Sequence, residues 1–362
     1  MRGHLFLSRP RGFDGSMRFL RKSFDALLDG RAAPVPRMDL AFEDRLRLVR
    51  CHGDFSLAYS TAIQDGLSYF GDGEGYIAFS TKMGQHFALG DPVAAPGDRP
   101  AYLSRFIEAA RTPWFVQIGE ETARVLAGLG YRINRAGIDT RLPLPAHDFS
   151  GTRNETVRYS ERWLFKHGFS IVEDDGGVAT HEHVKSLSDS WRAERVVKRW
   201  EMRFLNRPFR TGLGEGMRRF VLVDPEGKAV ALVDFDPIFR DGEAIGYTTA
   251  FKRKFNGTTP HAEIGLTKFA VDRFRQEGNS IVTLGLSPLA DIRESGFEES
   301  RFWRSMFARA YNSGHVNRRI FNLQGQAAFK RRFHGMEEAT YIAFKRATPL
   351  EVLALLRLCK AV

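Results

Sequence analysis

The chain has 362 residues, 43% of them hydrophobic and 27% charged, a balance that excludes extensive disorder and requires a packed core; the length suits two lobes of about 150 to 180 residues each. Its formal charge of +11 points to a polyanionic partner such as nucleic acid, an anionic membrane or a phosphate-bearing cofactor. The two cysteines, Cys51 and Cys359, lie near opposite ends and exclude a disulfide framework or a cysteine zinc site, which fits a reducing compartment.

No apolar run approaches the roughly 20 residues that cross a bilayer, and the start at Met1 lacks a long apolar leader core. The expectation is a cytoplasmic protein. Residues 17 to 28 place Leu20, Phe24, Leu27 and Leu28 on one helical stripe beside Arg18, Arg21 and Lys22; such a stripe docks on the protein's own core or lies on a membrane surface. A linker with Pro34 and Pro36 follows, so residues 1–47 read as an amphipathic segment and linker.

A first lobe is expected over residues 48–150. Short β-prone pieces at Tyr76 to Ser80, His86 to Gly90 and Trp114 to Ile118 predict strands. A helix from Pro100 to Arg111, with Leu103, Phe106 and Ile107 on one face, joins the last two. A second lobe is expected over 151–347, opening with a helix that ends at Gly168. A helix from Trp191 to Phe204, a hairpin made of Phe220 to Val223 and Ala229 to Phe235, and a strand at Ala244 to Thr249 come next. Thr259 as N-cap with Pro260 at the first helical position then starts a helix running to Gly278, and Ile281 to Leu286 returns as a strand. This strand, strand, strand, helix, strand order roughly repeats the layout of the first lobe. Residues 348–362 form a C-terminal amphipathic helix opened by Thr348 and Pro349.

Several phrases, in order over roughly residues 50 to 345, resemble the catalytic domain of the phosphatidylglycerol lysyltransferase and alanyltransferase family. In the first lobe these are Phe70-Gly71 through Phe79, Ala88-Leu89-Gly90-Asp91-Pro92-Val93 and Leu129-Gly130-Tyr131. In the second they are Ser190-Trp191, Thr283 through Leu289 around Gly285 and Ser287, and Phe321-Asn322-Leu323-Gln324-Gly325 through Phe333. The resemblance implies an α/β fold of two tandem GNAT-like lobes, each a mixed sheet flanked by helices. It also implies transfer of an aminoacyl group from aminoacyl-tRNA to a lipid hydroxyl such as that of phosphatidylglycerol, with no tightly bound cofactor. Most family members carry a multi-helix flippase ahead of this domain. Here about fifty residues precede the resemblance and none reads as a span, so contact with lipid is expected to be peripheral, at the inner face of the membrane.

One stretch departs from the family. After Thr258-Thr259-Pro260 an Asp and, three residues on, an Arg are usual, whereas this chain reads His261-Ala262-Glu263-Ile264-Gly265. Glu263 stands in for the acid and nothing replaces the arginine, which keeps open an acyl-CoA donor and a lipid amine acceptor such as a sphingoid base. Against CoA, Asn256 to Pro260 offers one glycine where a pyrophosphate loop has more.

From Arg301 to Gly335 the chain carries eight basic residues and no acid, suited to binding the phosphates of a tRNA end or of CoA. Arg318, Arg319, Arg331 and Arg332 are the donor-binding candidates within it. Lys330 matches the family's Gln-Gly-x-x-x-(Phe/Tyr)-Lys phrase and is the first candidate for stabilising charge on the reacting acyl group. Asn322, Gln324 and the backbone at Gly325 supply neutral donors, with Gly285 and Ser287 as further binding candidates. His261, Glu263, Asp234 and Asp236 are the candidate bases. His181-Glu182-His183 lacks metal-ligand spacing, so no metal is expected. The competing reading is a non-catalytic basic module for nucleic acid or membrane.

Overall fold

The computed structural model describes residues 25–194 and 203–360. The first eight residues of the stripe at 17–28 therefore lie outside the described residues. From residue 42 on, the chain forms α1 (Phe42–His52), α2 (Ala58–Ile63), β1 (Ser68–Asp72), β2 (Gly75–Lys82), β3 (Gln85–Leu89), α3 (Arg99–Ala110), β4 (Trp114–Ile118), α4 (Glu120–Gly128) and β5 (Arg132–Pro143). It continues with α5 (Glu155–Lys166), β6 (Ser170–Glu173), α6 (His181–Glu194), β7 (Arg218–Val223), β8 (Ala229–Arg240), β9 (Glu243–Lys254), α7 (Ala262–Gln276) and β10 (Ile281–Pro288). The last elements are α8 (Arg301–Asn312), α9 (Gly314–Arg319), α10 (Leu323–Arg331), β11 (Met336–Phe344) and α11 (Pro349–Leu358).

The two GNAT-like lobes are built alike. In each, three antiparallel strands (β1–β3; β7–β9) are followed by a crossover helix (α3; α7) and a strand parallel to the third (β4; β10). A parallel neighbour requires such a crossover, because a tight turn cannot reverse the chain twice. All the strands form one 11-stranded sheet in the order β1-β2-β3-β4-β11-β5-β10-β9-β8-β7-β6. The final strands are exchanged between lobes. β5 pairs with β10 of the second lobe, and β11 inserts between β4 and β5. The sheet therefore runs unbroken across residue 150.

Each lobe buries its own apolar layer. In the second, Phe274 of α7 stands among Phe220, Phe235 and Tyr247, stacked on the last with ring centroids 4.3 Å apart. A side chain at Gly265 would meet Leu164 Cδ1 at 2.4 Å, so this helical glycine lets α7 and α5 approach closely, at a propensity cost of about 1 kcal/mol. Lys268 of α7 ties the same pair together through Glu161 of α5, while Asp272 of its own helix shares the ammonium.

Two boundaries differ from expectation. The helix expected to contain Trp191 to Phe204 begins at His181, where Thr180 Oγ1 accepts from the His183 amide, and is described as far as Glu194. Phe204 has a left-handed backbone (φ 71°) and is not helical. Likewise α7 opens at Ala262. Thr259 Oγ1 accepts from the His261 amide, within a turn that precedes the helix. The C-terminal helix has the expected start: Thr348 and Glu351 form a reciprocal capping box. Among the described residues no helix is long and apolar enough to cross a membrane.

Candidate functional site

β9 and β10 pair only between Gly246–Thr248 and Ile281–Thr283. Past Thr283 the register of β10 against β5 slips until Leu286. Gly285 lies in this bulge with φ +74°, a conformation that glycine adopts without steric cost. The two parallel strands diverge, and a cavity of about 470 Å³ fills the wedge between them. Ser56, Leu57 and Gln117 line it from the first lobe; the ends of β9 and β10, Glu263 of α7, and Asn322, Gly325, Phe329 and Lys330 line it from the second. A cleft shared by two lobes is where ligands gather.

Lys330 is placed by α10. Asn322 caps this helix by accepting from the Gly325 amide at 2.9 Å, which brings residue 330, two turns on, to the bulge. Its buried ammonium donates to the carbonyls of Gly285 (2.7 Å) and Leu286 (2.6 Å). Asp139, opposite Leu286 on β5, supplies the countercharge. Burial holds Lys330 well below the usual lysine range, against the pull of Asp139. Burial also raises Asp139, with Lys330 and Ser56 opposing.

Two further charged groups face the cavity. The ammonium of Lys252, on β9, sits 3.2 Å from the centre of the Phe329 ring, and burial pushes its pKa down to about 8 in spite of Glu263. Glu263 is half-buried in the first turn of α7, its carboxylate 3.9 Å from Lys254. The cavity's other acid, Asp236, is engaged: Arg207 grips it through Nε (2.8 Å) and Nη2 (2.7 Å), with both side chains buried. Asp234 is held the same way by Arg219. Both aspartates, expected as candidate bases, are committed to buried two-point ion pairs with arginines.

The remaining candidates divide by place. Gly285, Asn322, Gly325, Glu263 and Lys330 meet at the cavity. His261 does not: its Nδ1 lies 3.1 Å from Ser160 Oγ and its ring packs on Trp163 of α5, away from the cavity. Gln324 donates to the Tyr311 carbonyl and braces α8. Ser287 is fully buried in β10. Arg318, Arg319 and Arg332 are exposed, whereas Arg331 pairs with Glu337 and Arg304 with Glu294 and Glu299. The basic segment thus borrows its acids from outside. Lys252, Asp139 and Arg207 are site residues that sequence reasoning did not single out. His181 and His183 turn to different partners, Thr211 and the Ala229 carbonyl.

The comparisons with known proteins follow the same outline. The family model described as phosphatidylglycerol lysyltransferase, C-terminal, matches residues 46–344. No curated protein matches the chain in sequence. Among solved structures, the C-terminal domain of a candidate lysylphosphatidylglycerol synthetase from Agrobacterium fabrum superposes with a TM-score of 0.72 at 21% identity, covering 89% of this chain and 98% of that one. L-PGS from Bacillus licheniformis gives 0.70 at 18% identity, covering 90% and 98%. FemX gives 0.51 at 10%, covering 89% and 100%. These structures share the fold; the family match extends over both lobes and the whole cavity. The chain is an acyltransferase of the aminoacyltransferase type, and it belongs to the phosphatidylglycerol lysyltransferase C-terminal family.

Proposed function

We propose that this protein moves an aminoacyl group from the 3′ end of an aminoacyl-tRNA to a hydroxyl of phosphatidylglycerol or a related membrane lipid, inside the cavity between the diverging strands. The observation that carries this reading is the composition of that cavity. It joins one carboxylate not held by an arginine, Glu263, to two lysines, Lys252 and Lys330, at the bulge of β10. An aminoacyl ester brings an ammonium group that a fatty acyl thioester lacks, and Glu263 is the acid suited to receive it. Lys330, anchored on the bulge carbonyls, fixes the wall against which the acyl carbonyl is held and contributes positive potential where negative charge develops.

Exposed Arg318 and Arg319 at the end of α9, and Arg332 beyond α10, suit the tRNA backbone. On α8 the exposed Phe302 and Met306 lie on one side of the helix with Arg301 and Arg309 nearby, a combination that suits peripheral contact with an anionic bilayer. The lipid would then enter from the membrane side and the tRNA end from the basic side.

The test supplies the purified chain with radiolabelled lysyl- or alanyl-tRNA and vesicles containing phosphatidylglycerol, then follows label into the lipid phase. Label in a new lipid heavier by one aminoacyl residue is the expected result. Transfer of a fatty acyl group from acyl-CoA to a lipid amine, with no aminoacyl transfer, would overturn it.

A further inference from the structure

Acyl transfer needs a proton acceptor at the attacking atom, and among the described residues the cavity leaves few groups free to serve. Asp236 is clamped by Arg207. Lys330 donates two hydrogens to carbonyls of β10, which fixes its Nζ at the bulge. Asp139 serves as its countercharge, His261 faces α5, and Glu263 lies beside Lys254. Lys252 is different: it lines the cavity and, among the described residues, its Nζ makes no hydrogen bond or ion pair, resting instead on the face of Phe329.

We propose that Lys252 is the proton acceptor of the transfer reaction. The assignment rests on the acyl-transfer reading of this cavity. In the step, the acceptor's oxygen (or nitrogen) forms a bond to the acyl carbon of the donor ester. Neutral Nζ of Lys252 takes the proton released from that oxygen and becomes an ammonium. The bond from the acyl carbon to the donor oxygen then breaks, its electron pair stays on the donor oxygen, and the Lys252 ammonium returns the proton there. No metal, oxidant or further reactant is required.

The surroundings suit this cycle. Enclosure in the cavity strips water from the ammonium and favours the neutral amine between turnovers. Lys330 on α10 repels a second charge nearby, while Glu263 on α7 attracts one. On β9 itself, Lys254 turns to Glu263 and the Arg253 guanidinium stacks on Trp191 at 3.7 Å. The Arg207–Asp236 pair lies on the same wall. The ring of Phe329 stabilises the transient ammonium by a cation–π contact, so the proton is accepted and then released.

Two measurements decide the proposal. In the first, the intact chain is exposed to a limiting pulse of acetic anhydride across pH 6 to 11, and the acetylation of each lysine is quantified by peptide mass spectrometry. Lys252 is expected to reach half-maximal reactivity near pH 8, with exposed lysines at about 10.4. Titration of Lys252 with the surface lysines, or no acetylation at any pH, overturns the proposal.

The second compares Lys252→Arg and Lys252→Gln in lysyl transfer from lysyl-tRNA to phosphatidylglycerol vesicles. Arginine keeps the charge and the contact with Phe329 but cannot accept a proton. Both variants are expected to lose at least about 100-fold in kcat, the usual scale for a general base, with KM little changed and the acidic limb of the kcat profile absent. Rescue by arginine, or a loss confined to KM, shows a structural or binding role and overturns the proposal. If the wild type moves no lysyl group, the donor and acceptor named above fail, and the labelling result still decides Lys252.

Discussion

The ammonium of Lys330 donates to the Gly285 carbonyl at 2.7 Å and to the next carbonyl, that of Leu286, at 2.6 Å. One side chain from α10 thus fixes the place where β10 leaves its parallel partner, and the cavity exists because the strands part there. Lys330→Met keeps the stem and removes the donor, leaving two partly buried carbonyls without it. Each such loss costs about 1–3 kcal/mol, so the variant should unfold at a visibly lower denaturant midpoint. The cavity wall would also shift, and displacements of about 1 Å cost on the order of 100-fold in rate. A variant with wild-type midpoint and wild-type transfer would show that Lys330 neither holds the bulge nor serves the reaction.

Gly285 itself is the second half of that arrangement. At φ +74° a Cβ would be strained whatever the space around it, and it would stand 3.9 Å from the Lys330 ammonium. Gly285→Ala should destabilise by more than about 1 kcal/mol and reduce kcat/KM. Thermal unfolding and transfer assays on one preparation check both. Unchanged stability would mean that the backbone relaxes at little cost.

The Arg207–Asp236 pair behind the cavity makes a different prediction. Arg207→Met leaves a buried carboxylate unpaired, which costs about 3–5 kcal/mol. Replacing both residues, as Arg207→Met with Asp236→Leu, removes the uncompensated charge and should recover most of that loss in chemical denaturation. A double variant as unstable as the single one would mean that the pair matters through packing, for example through the guanidinium over Phe251.

How much of this was legible in the sequence depends on whether the signal is local. The hairpin of β7 and β8 and the return of β10 are written in apolar runs broken by Asp224-Pro225-Glu226-Gly227 and Gly278, and the structure has them. The exchange of β5 and β11 is not written locally. β5 carries Arg135, Asp139 and Arg141 among its apolar residues, and these charges make sense only beside Asp291, Lys330 and Glu338, more than 150 residues away. At the site, Lys330 and Gly285 stood out through family phrases. Lys252 did not, because it lies past the strand expected at Ala244 to Thr249 and belongs to no family phrase. The structure separates the three consecutive basic residues there: Lys252 rests on Phe329, Arg253 stacks on Trp191 at the same cavity, and Lys254 reaches Glu263.

Glu263 allows the nature of the donor to be read from kinetics. If it receives the donor's ammonium, Glu263→Gln should raise KM for aminoacyl-tRNA about tenfold, equivalent to about 1.4 kcal/mol, and leave kcat nearly unchanged. Such a split is the mark of binding that is equal in ground and transition states. An equal fall in kcat and kcat/KM would place Glu263 in the chemical step instead.

The depressed pKa of Lys252 has a consequence for stability that needs no substrate. Its folded value is about 8 and its unfolded value about 10.4. Between those limits the unfolded chain binds more protons than the native one, so this group makes stability rise with pH across that window. Below pH 8 the lysine is charged in both states and the full cost of enclosing the charge is present. Lys252→Met removes that cost. The variant should therefore melt above the wild type at pH 7, and the difference should shrink as pH rises through 8.5 to 10. Lys330, freed from its neighbour's charge in the variant, moves the difference in the same direction. Calorimetric Tm values for both proteins at these three pH values suffice: a difference that does not change with pH would mean that Lys252 keeps an ordinary lysine pKa, and it would remove the support this shift gives to a proton-accepting role.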